Sequence, residues 1–182
     1  MTKGIGWGRK DGKKMKMEFI DVRRAYFHAK AQREVYVELP AEDRKEGYCG
    51  KLNKSMYGTR DAAQNWEQEY MGFMEDIGFR PGKATPCVFE HTEMGIRAVV
   101  HGDDFTMLGS DEALDWFRMK IKEKFEVKVK GRLGEGKEDM KSVRILNRIV
   151  SWFPDRIEYE ADQRHAEIII DAMGLKETSK GV

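Results

Sequence analysis

The 182-residue chain is 40% hydrophobic and 36% charged, with a formal net charge of +1, a composition that places it among soluble globular proteins long enough to bury a real core. No run approaches the roughly 18–20 apolar residues of a membrane span, and no signal-peptide apolar region follows the basic start. Cys49 and Cys87 supply neither a disulfide framework nor a Cys-x-x-Cys pair, and His28, His91, His101 and His165 lack zinc-ligand spacing, so an intracellular protein with reduced thiols is expected, cytoplasm or nucleus unresolved.

The small net charge conceals an uneven distribution. Residues 1–16, MTKGIGWGRKDGKKMK, are basic, Gly-rich and without apolar periodicity. They form a flexible arm, either a frayed terminus or a tracker of phosphates. KMEFIDV (16–22) reads as a strand, and REVYVEL (33–39) alternates through Val35, Val37 and Leu39 before stopping at Pro40. A charged loop follows, then a short strand around Lys51–Leu52. From Asp61 to Ile77 the period becomes helical, with Ala62, Trp66, Tyr70, Phe73, Met74 and Ile77 at three- and four-residue spacing and Gly78 as the C-terminal cap.

PCVFE (86–90) and IRAVVH (96–101) flank the turn HTEMG, and FTMLG (105–109) follows after only GDD, which predicts a tight hairpin with acids at its tip. Ser110 caps a second helix, with Asp111 and Glu112 in its first turn and a buried stripe of Leu114, Phe117, Ile121 and Phe125. EVKVK (126–130) alternates again, GRLGEGKEDMKS (131–142) reads as a flexible break, and the segments on either side of Pro154–Asp155 read as one more hairpin. A last amphipathic helix places Ala166, Ile169, Ile170 and Met173 on one face and ends at Gly174. With the extra hairpins set aside, the order is strand, helix, strand, strand, helix, strand. That is a split βαβ, ferredoxin-like α+β arrangement: an antiparallel sheet with both helices on one face and added hairpins.

In this topology the first and third strands are central neighbours, so Asp21 comes close to the Asp103–Asp104 turn of HGDDF (101–105). Two like charges about 4 Å apart cost on the order of 4 kcal/mol at an effective dielectric near 20. Three such carboxylates call for a proton or a cation, and hard divalent ions are bound through one or two carboxylates plus substrate phosphates. Adjacent aspartates at a hairpin tip are also ordinary solvated turn formers. From the residues alone both readings stay open.

Larger blocks add to this. FIDVRRAYFHA, EVYVELP, KLNKSMYGTRDAAQNW, IGFRPGKATPCVF, VVHGDDFTMLGSDEAL and KFEVK follow one another from about Met17 to Val129, and in order and spacing they resemble the reverse transcriptase of copia-type retrotransposons, the palm region of a Pol polyprotein. ILNRIV and DQRHAEIIIDAMGLKETSK continue the likeness more weakly. The resemblance implies that Asp21, Asp103 and Asp104 are the catalytic and metal-site aspartates, with Asp21 and Asp103 holding two Mg²⁺ (or Mn²⁺) ions together with the carbonyl of Val22, and Asp104 nearby and less direct. It implies that Tyr26 crowds the incoming sugar, where an aromatic ring can exclude a 2′-hydroxyl; the other reading of Tyr26 is a core aromatic. Tyr57 and Gly58 would sit against nucleotide and template, with Arg60 keeping the charge of a family lysine. Trp66 reads as helix core. Lys120, Lys122 and Lys124 read as a solvated helix face, one of them a candidate proton donor to pyrophosphate.

The sequence departs from the family pattern at His101, Gly102, Asp61 and Ala63, and in the inserted stretch 131–142. The domain expectation is a basic arm over 1–16, a palm over 17–160 and the start of a thumb or connection helix over 161–182. The expected function is RNA-directed DNA polymerisation, a nucleotidyl transfer using deoxynucleoside triphosphates and an RNA or DNA template with its primer, with no membrane partner. Fingers and RNase H segments of Pol are missing here, so a truncated fragment is expected, with the isolated chain's activity open. The alternatives are an inactive nucleic-acid-binding relic of the same fold and a nucleotidyl cyclase-like palm enzyme.

Overall fold

The structure, a computed structural model, describes residues 14–160 and 163–176. Most of the expected basic arm, and residues 161–162 and 177–182 of the expected thumb segment, lie outside them. Strand β1 (Lys16–Val22) buries three consecutive residues, Glu18, Phe19 and Ile20. Burial on successive, oppositely pointing residues marks a strand covered on both faces. Its position agrees: the six-stranded sheet runs β4-β5-β6-β7-β1-β8, with β4 at Arg80–Pro81, β5 at Val88–His91, β6 at Ile96–His101, β7 at Asp104–Gly109 and β8 at Val127–Leu133. The pairs β4–β5, β5–β6, β6–β7 and β1–β7 are all antiparallel.

Helix α1 (Ala62–Asp76) lies between β1 and β6 in the chain, and α2 (Asp111–Lys124) between β7 and β8. The fold class is therefore α+β, and the four adjacent strands β6-β7-β1-β8 carry the split βαβ order. Both helices pack on one face. Ile20 and Val22 of β1, Ile96, Ala98 and Val100 of β6, and Phe105 and Met107 of β7 form one core with Trp66, Tyr70, Phe73 and Met74 of α1 and Leu114, Phe117 and Ile121 of α2. The alternation of β6 and β7 produces this directly, since every second residue is buried.

The helix ends follow their signals. The hydroxyl of Ser110 accepts from the Ala113 amide at 3.4 Å at the start of α2. At the end of α1, Gly78 takes φ +95° and the Phe79 amide reaches back to the Met74 carbonyl at 2.9 Å, the geometry of a Schellman cap. A Cβ at Gly78 would lie 2.9 Å from His91 Nε2, so the position requires glycine for space as well as conformation.

Four local readings are corrected. The strand expected over 33–39 is only β2 (Tyr36–Val37), paired with β3 (Gly50–Lys51); a two-strand ribbon without a third partner propagates poorly. The flexible break begins later than expected, because β8 continues through Leu133. β4, within RPG, carried no strand signal. Past the break there are three strands, not one hairpin: β9 (Ser142–Ile145), β10 (Arg148–Trp152) and β11 (Ile157–Glu160), in the order β11-β10-β9. The extra turn is Leu146–Asn147, both with positive φ (47° and 60°), a conformation that glycine usually advertises and leucine conceals.

The chain divides into two units, Met1–Lys130 and Gly131–Val182. The second holds β9–β11 and α3 (Gln163–Ala172); Ile169 and Ile170 of that helix, and Met173 just after it, are exposed. No helix among the described residues is long and apolar enough to cross a membrane.

Candidate active site

The β6–β7 hairpin closes with His101 paired to Asp104, leaving Gly102 and Asp103 as its two-residue turn. Gly102 supplies φ +61°, which turns of this length demand and which glycine adopts without strain. Two further hydrogen bonds hold the tip. The Val22 amide at the end of β1 donates to the Asp103 carbonyl at 2.9 Å, and the buried Trp66 indole Nε1–H on α1 donates to the Gly102 carbonyl at 2.8 Å. Asp21 is directly opposite Asp104 in the β1–β7 register. The turn and the register together bring the three acids to one place: one carboxylate oxygen from each of Asp21, Asp103 and Asp104 lies within 4.8 Å of the others.

A cation already stands among them. Lys130 Nζ on β8 is 3.2 Å from Asp21 Oδ2 and 2.5 Å from Asp104 Oδ1. Burial works against the ammonium, but hydrogen bonds to Asp104 and Asp21 and their charges outweigh it and raise its pKa above the ordinary lysine value. Asp103 is pushed up, first by desolvation and then by the negative charges of Asp21 and Asp104, against a lowering backbone hydrogen bond and the Lys130 charge. The site thus places a carboxyl with raised pKa beside two carboxylates bridged by an amine.

The exit from β1 is pinned as well. Arg24 adopts left-handed backbone (φ 53°), and Arg23 and Arg24 hold Glu126 at 3.3 and 2.6 Å. Hydrogen bonds from Arg24 and then Arg23 pull the Glu126 carboxyl below its usual pKa. The 3₁₀ turn Ala25–His28 follows and carries Tyr26, half-buried, with its ring centroid 4.4 Å from that of Tyr57. Phe27 meets Tyr57 edge-on at 5.5 Å, so Tyr26 is neither wholly core nor isolated.

Gly58 is exposed with φ +86°, and no atom lies within 4 Å of where a Cβ would be; its backbone conformation, not crowding by this chain, asks for glycine. Arg60 is exposed. Val22 is fully buried. On α2, Lys120 pairs with Glu123 at 3.1 Å and Lys124 with Glu69 of α1 at 3.0 Å, which accounts for both as helix-surface charges.

Two participants were not singled out from sequence: Lys130, and the polar edge of Trp66. A signal for the first existed. In EVKVK, Val127 and Val129 pack toward the helix-covered core, so Lys128 and Lys130 point to the other face of the sheet. That is also the face of Asp21 and Asp104, whose neighbours Ile20, Val22 and Phe105 are core. The donor set suits a hard divalent cation: carboxylate oxygens, with neither thiolate nor imidazole among them.

Comparison with known proteins places this geometry in context. Residues 11–137 match the family model described as "Reverse transcriptase (RNA-dependent DNA polymerase)". The chain is similar to the retrovirus-related Pol polyprotein from transposon TNT 1-94 of Nicotiana tabacum, 30% identical over 107 residues that make up 55% of this chain and 8% of that protein. It is also similar to the transposon Ty1-DR1 Gag-Pol polyprotein of Saccharomyces cerevisiae, 24% identical over 123 residues, 66% of this chain and 7% of that protein. The chain therefore spans less than a tenth of the length of these curated relatives.

Proposed function

The chain belongs to the reverse transcriptase (RNA-dependent DNA polymerase) family, and from that premise we propose that it supplies the palm of a copia-type RNA-directed DNA polymerase, with Asp21, Asp103 and Asp104 as its metal-holding acids. The observation that carries this reading is the meeting of three carboxylates within 4.8 Å, from a strand and a hairpin more than eighty residues apart in the chain. Nothing in the local sequence of either strand requires them to meet; the sheet order does.

Asp21, Asp103 and Asp104, with the Val22 carbonyl, would hold two Mg²⁺ or Mn²⁺ ions. When bound, such ions neutralise the acids and stabilise the attacking and leaving oxygens of a nucleotidyl transfer. The chain's own residues do the positioning. The β1–β7 register fixes Asp21 against Asp104, and the Trp66 and Val22 hydrogen bonds fix the turn that carries Asp103. Tyr26, backed by the ring of Tyr57, presents an aromatic wall to the sugar of a deoxynucleoside triphosphate, and the exposed Arg60 offers charge to phosphate.

In this reading the palm occupies 17–160, the basic arm 1–16 and the start of the thumb 161–182. The partners are an RNA or DNA template with primer and the other Pol segments, fingers and RNase H among them. The place of action is intracellular. The Lys130 bridge favours one second reading, a nucleic-acid-binding module whose acids are satisfied internally and which performs no transfer.

Primer extension on an RNA template with Mg²⁺ or Mn²⁺, with the remaining Pol segments supplied alongside, separates the two. The expected result is incorporation that falls about 10²–10³-fold in Asp103→Asn, the scale on which removing one electrostatic group at a transferring centre acts. Template binding with no incorporation would select the second reading.

A further inference from the structure

Lys130 carries an inference that rests on the metal-site reading above and goes beyond it. Its ammonium does not lie along the sheet surface as an ordinary strand lysine would. It spans the two cross-strand partners, 3.2 Å from Asp21 and 2.5 Å from Asp104, and the side chains of Lys130, Asp21 and Asp104 keep only 28%, 29% and 15% of their exposure. Three carboxylates and one ammonium leave the cluster short of positive charge, so an ion of higher charge still has an electrostatic reason to enter. Yet Lys130 already holds one oxygen of Asp21 and one of Asp104, so an ion drawing on both carboxylates competes with it.

We propose that Lys130 is a built-in counter-ion. It keeps Asp21 and Asp104 drawn together while no divalent cation is present, and it withdraws when one binds, so that it sets the affinity threshold of the site. Lysine suits this exchange and arginine does not. The ε-ammonium is a compact point charge on a flexible four-carbon stem, whereas a guanidinium grips carboxylates through a rigid planar fork. The partial exposure of the stem leaves it room to swing toward solvent. In this role Lys130 is a positioning residue: it acts on the acids and on the charge of the site, not on the reacting atoms.

The exchange makes two opposite demands on one side chain. Removing the ammonium removes the competitor for the ion, and it also removes the cation that Asp21 pairs with. Lys130→Met, which keeps the length of the stem without its charge, therefore strengthens divalent binding and weakens the ion-free fold. Lys130→Arg does the reverse to ion binding, because the competitor stays and holds more firmly.

The test is Mn²⁺ titration of the full chain by calorimetry, with free Mn²⁺ followed in parallel by electron paramagnetic resonance, and thermal melts in chelator. The expected result is an Mn²⁺ affinity about tenfold higher in Lys130→Met, equivalent to about 1.4 kcal/mol, a lower melting temperature for that variant in chelator, and weaker Mn²⁺ binding in Lys130→Arg. Asp103→Asn serves as the control that places the ion at the acids. If the unsubstituted chain binds Mn²⁺ through Asp103 but Lys130→Met binds it no more tightly, the counter-ion role is overturned and the metal-site reading stands. If no variant binds Mn²⁺, or if Asp103→Asn changes nothing, the metal-site reading itself fails and the inference goes with it.

Discussion

Asp61 stands at the N-terminal end of α1, where its side chain faces Arg33 rather than capping the helix. The Arg33 guanidinium donates to it at 2.8 Å and is the main reason its pKa falls to about 2, opposed by desolvation and helped by the Asn65 amide. A carboxyl whose folded pKa lies below its unfolded value stabilises the fold once pH exceeds the unfolded value, near 3.9, and that stabilisation is lost as pH falls toward the folded value. Asp61→Asn should therefore lower the urea midpoint at pH 7. The gap to the unsubstituted chain should narrow steadily as pH falls from about 5 toward 2; urea melts at pH 7, 4 and 2.5 check it, and a gap as large at pH 2.5 as at pH 7 contradicts the pairing. The residue scale is also where sequence reading reached its limit. Asp103 and Asp104 stood out because adjacent acids after an apolar run demand an explanation. Trp66 was placed in the core by its helical spacing, but periodicity assigns a face, not a hydrogen-bond partner, and its indole N–H on Gly102 left no trace in the pattern.

Among the elements, the bond between β1 and α2 is the one most exposed to a single substitution. Glu18 is fully buried on the interior strand β1, and Arg118 of α2 reaches it with two donors, Nε at 3.2 Å and a closer terminal nitrogen. Glu18 lies on the same side of β1 as Ile20 and Val22, so the ion pair sits in the seam between helix and sheet. Breaking a buried pair from one side strands a charge and costs about 3–5 kcal/mol, whereas replacing both partners with apolar side chains is often neutral. Arg118→Met should lose about 3 kcal/mol in denaturant unfolding, and Glu18→Leu with Arg118→Met together should lose much less. Additive losses would mean that the pair is not what joins these elements. Long amphipathic elements were legible: α1, α2, β1 and the β6–β7 hairpin all follow from apolar spacing. The short ones were not, because Arg80–Pro81 and Tyr36–Val37 are too brief for periodicity to register, and the Leu146–Asn147 turn uses a residue that steric preference disfavours there.

At the scale of the molecule, the sheet order was readable once the added hairpins were set aside, and it is the sheet order that brings Asp21 opposite Asp104. The division at Lys130 and Gly131 coincides with the start of the break read at 131, although the palm was expected to run on to 160 and β8 continues across the division through Leu133. Topology also ties the candidate site to global stability. The three acids join β1 and β7, two adjacent interior strands of the sheet, and they can converge only when that pairing exists. An ion held by all three binds the folded chain and not the unfolded one. Its effect on stability is then RT ln(1 + [ion]/Kd), about 2.7 kcal/mol at a hundred times Kd. Melting temperature should accordingly rise with the logarithm of Mg²⁺ or Mn²⁺ concentration, return to its starting value on chelation, and stay flat in Asp103→Asn. Sodium chloride at matched ionic strength separates site binding from general screening of surface charge, which acts on every exposed pair alike. A rise that sodium reproduces, or that survives in Asp103→Asn, would place the stabilisation elsewhere on the surface and detach the acidic cluster from the stability of the sheet.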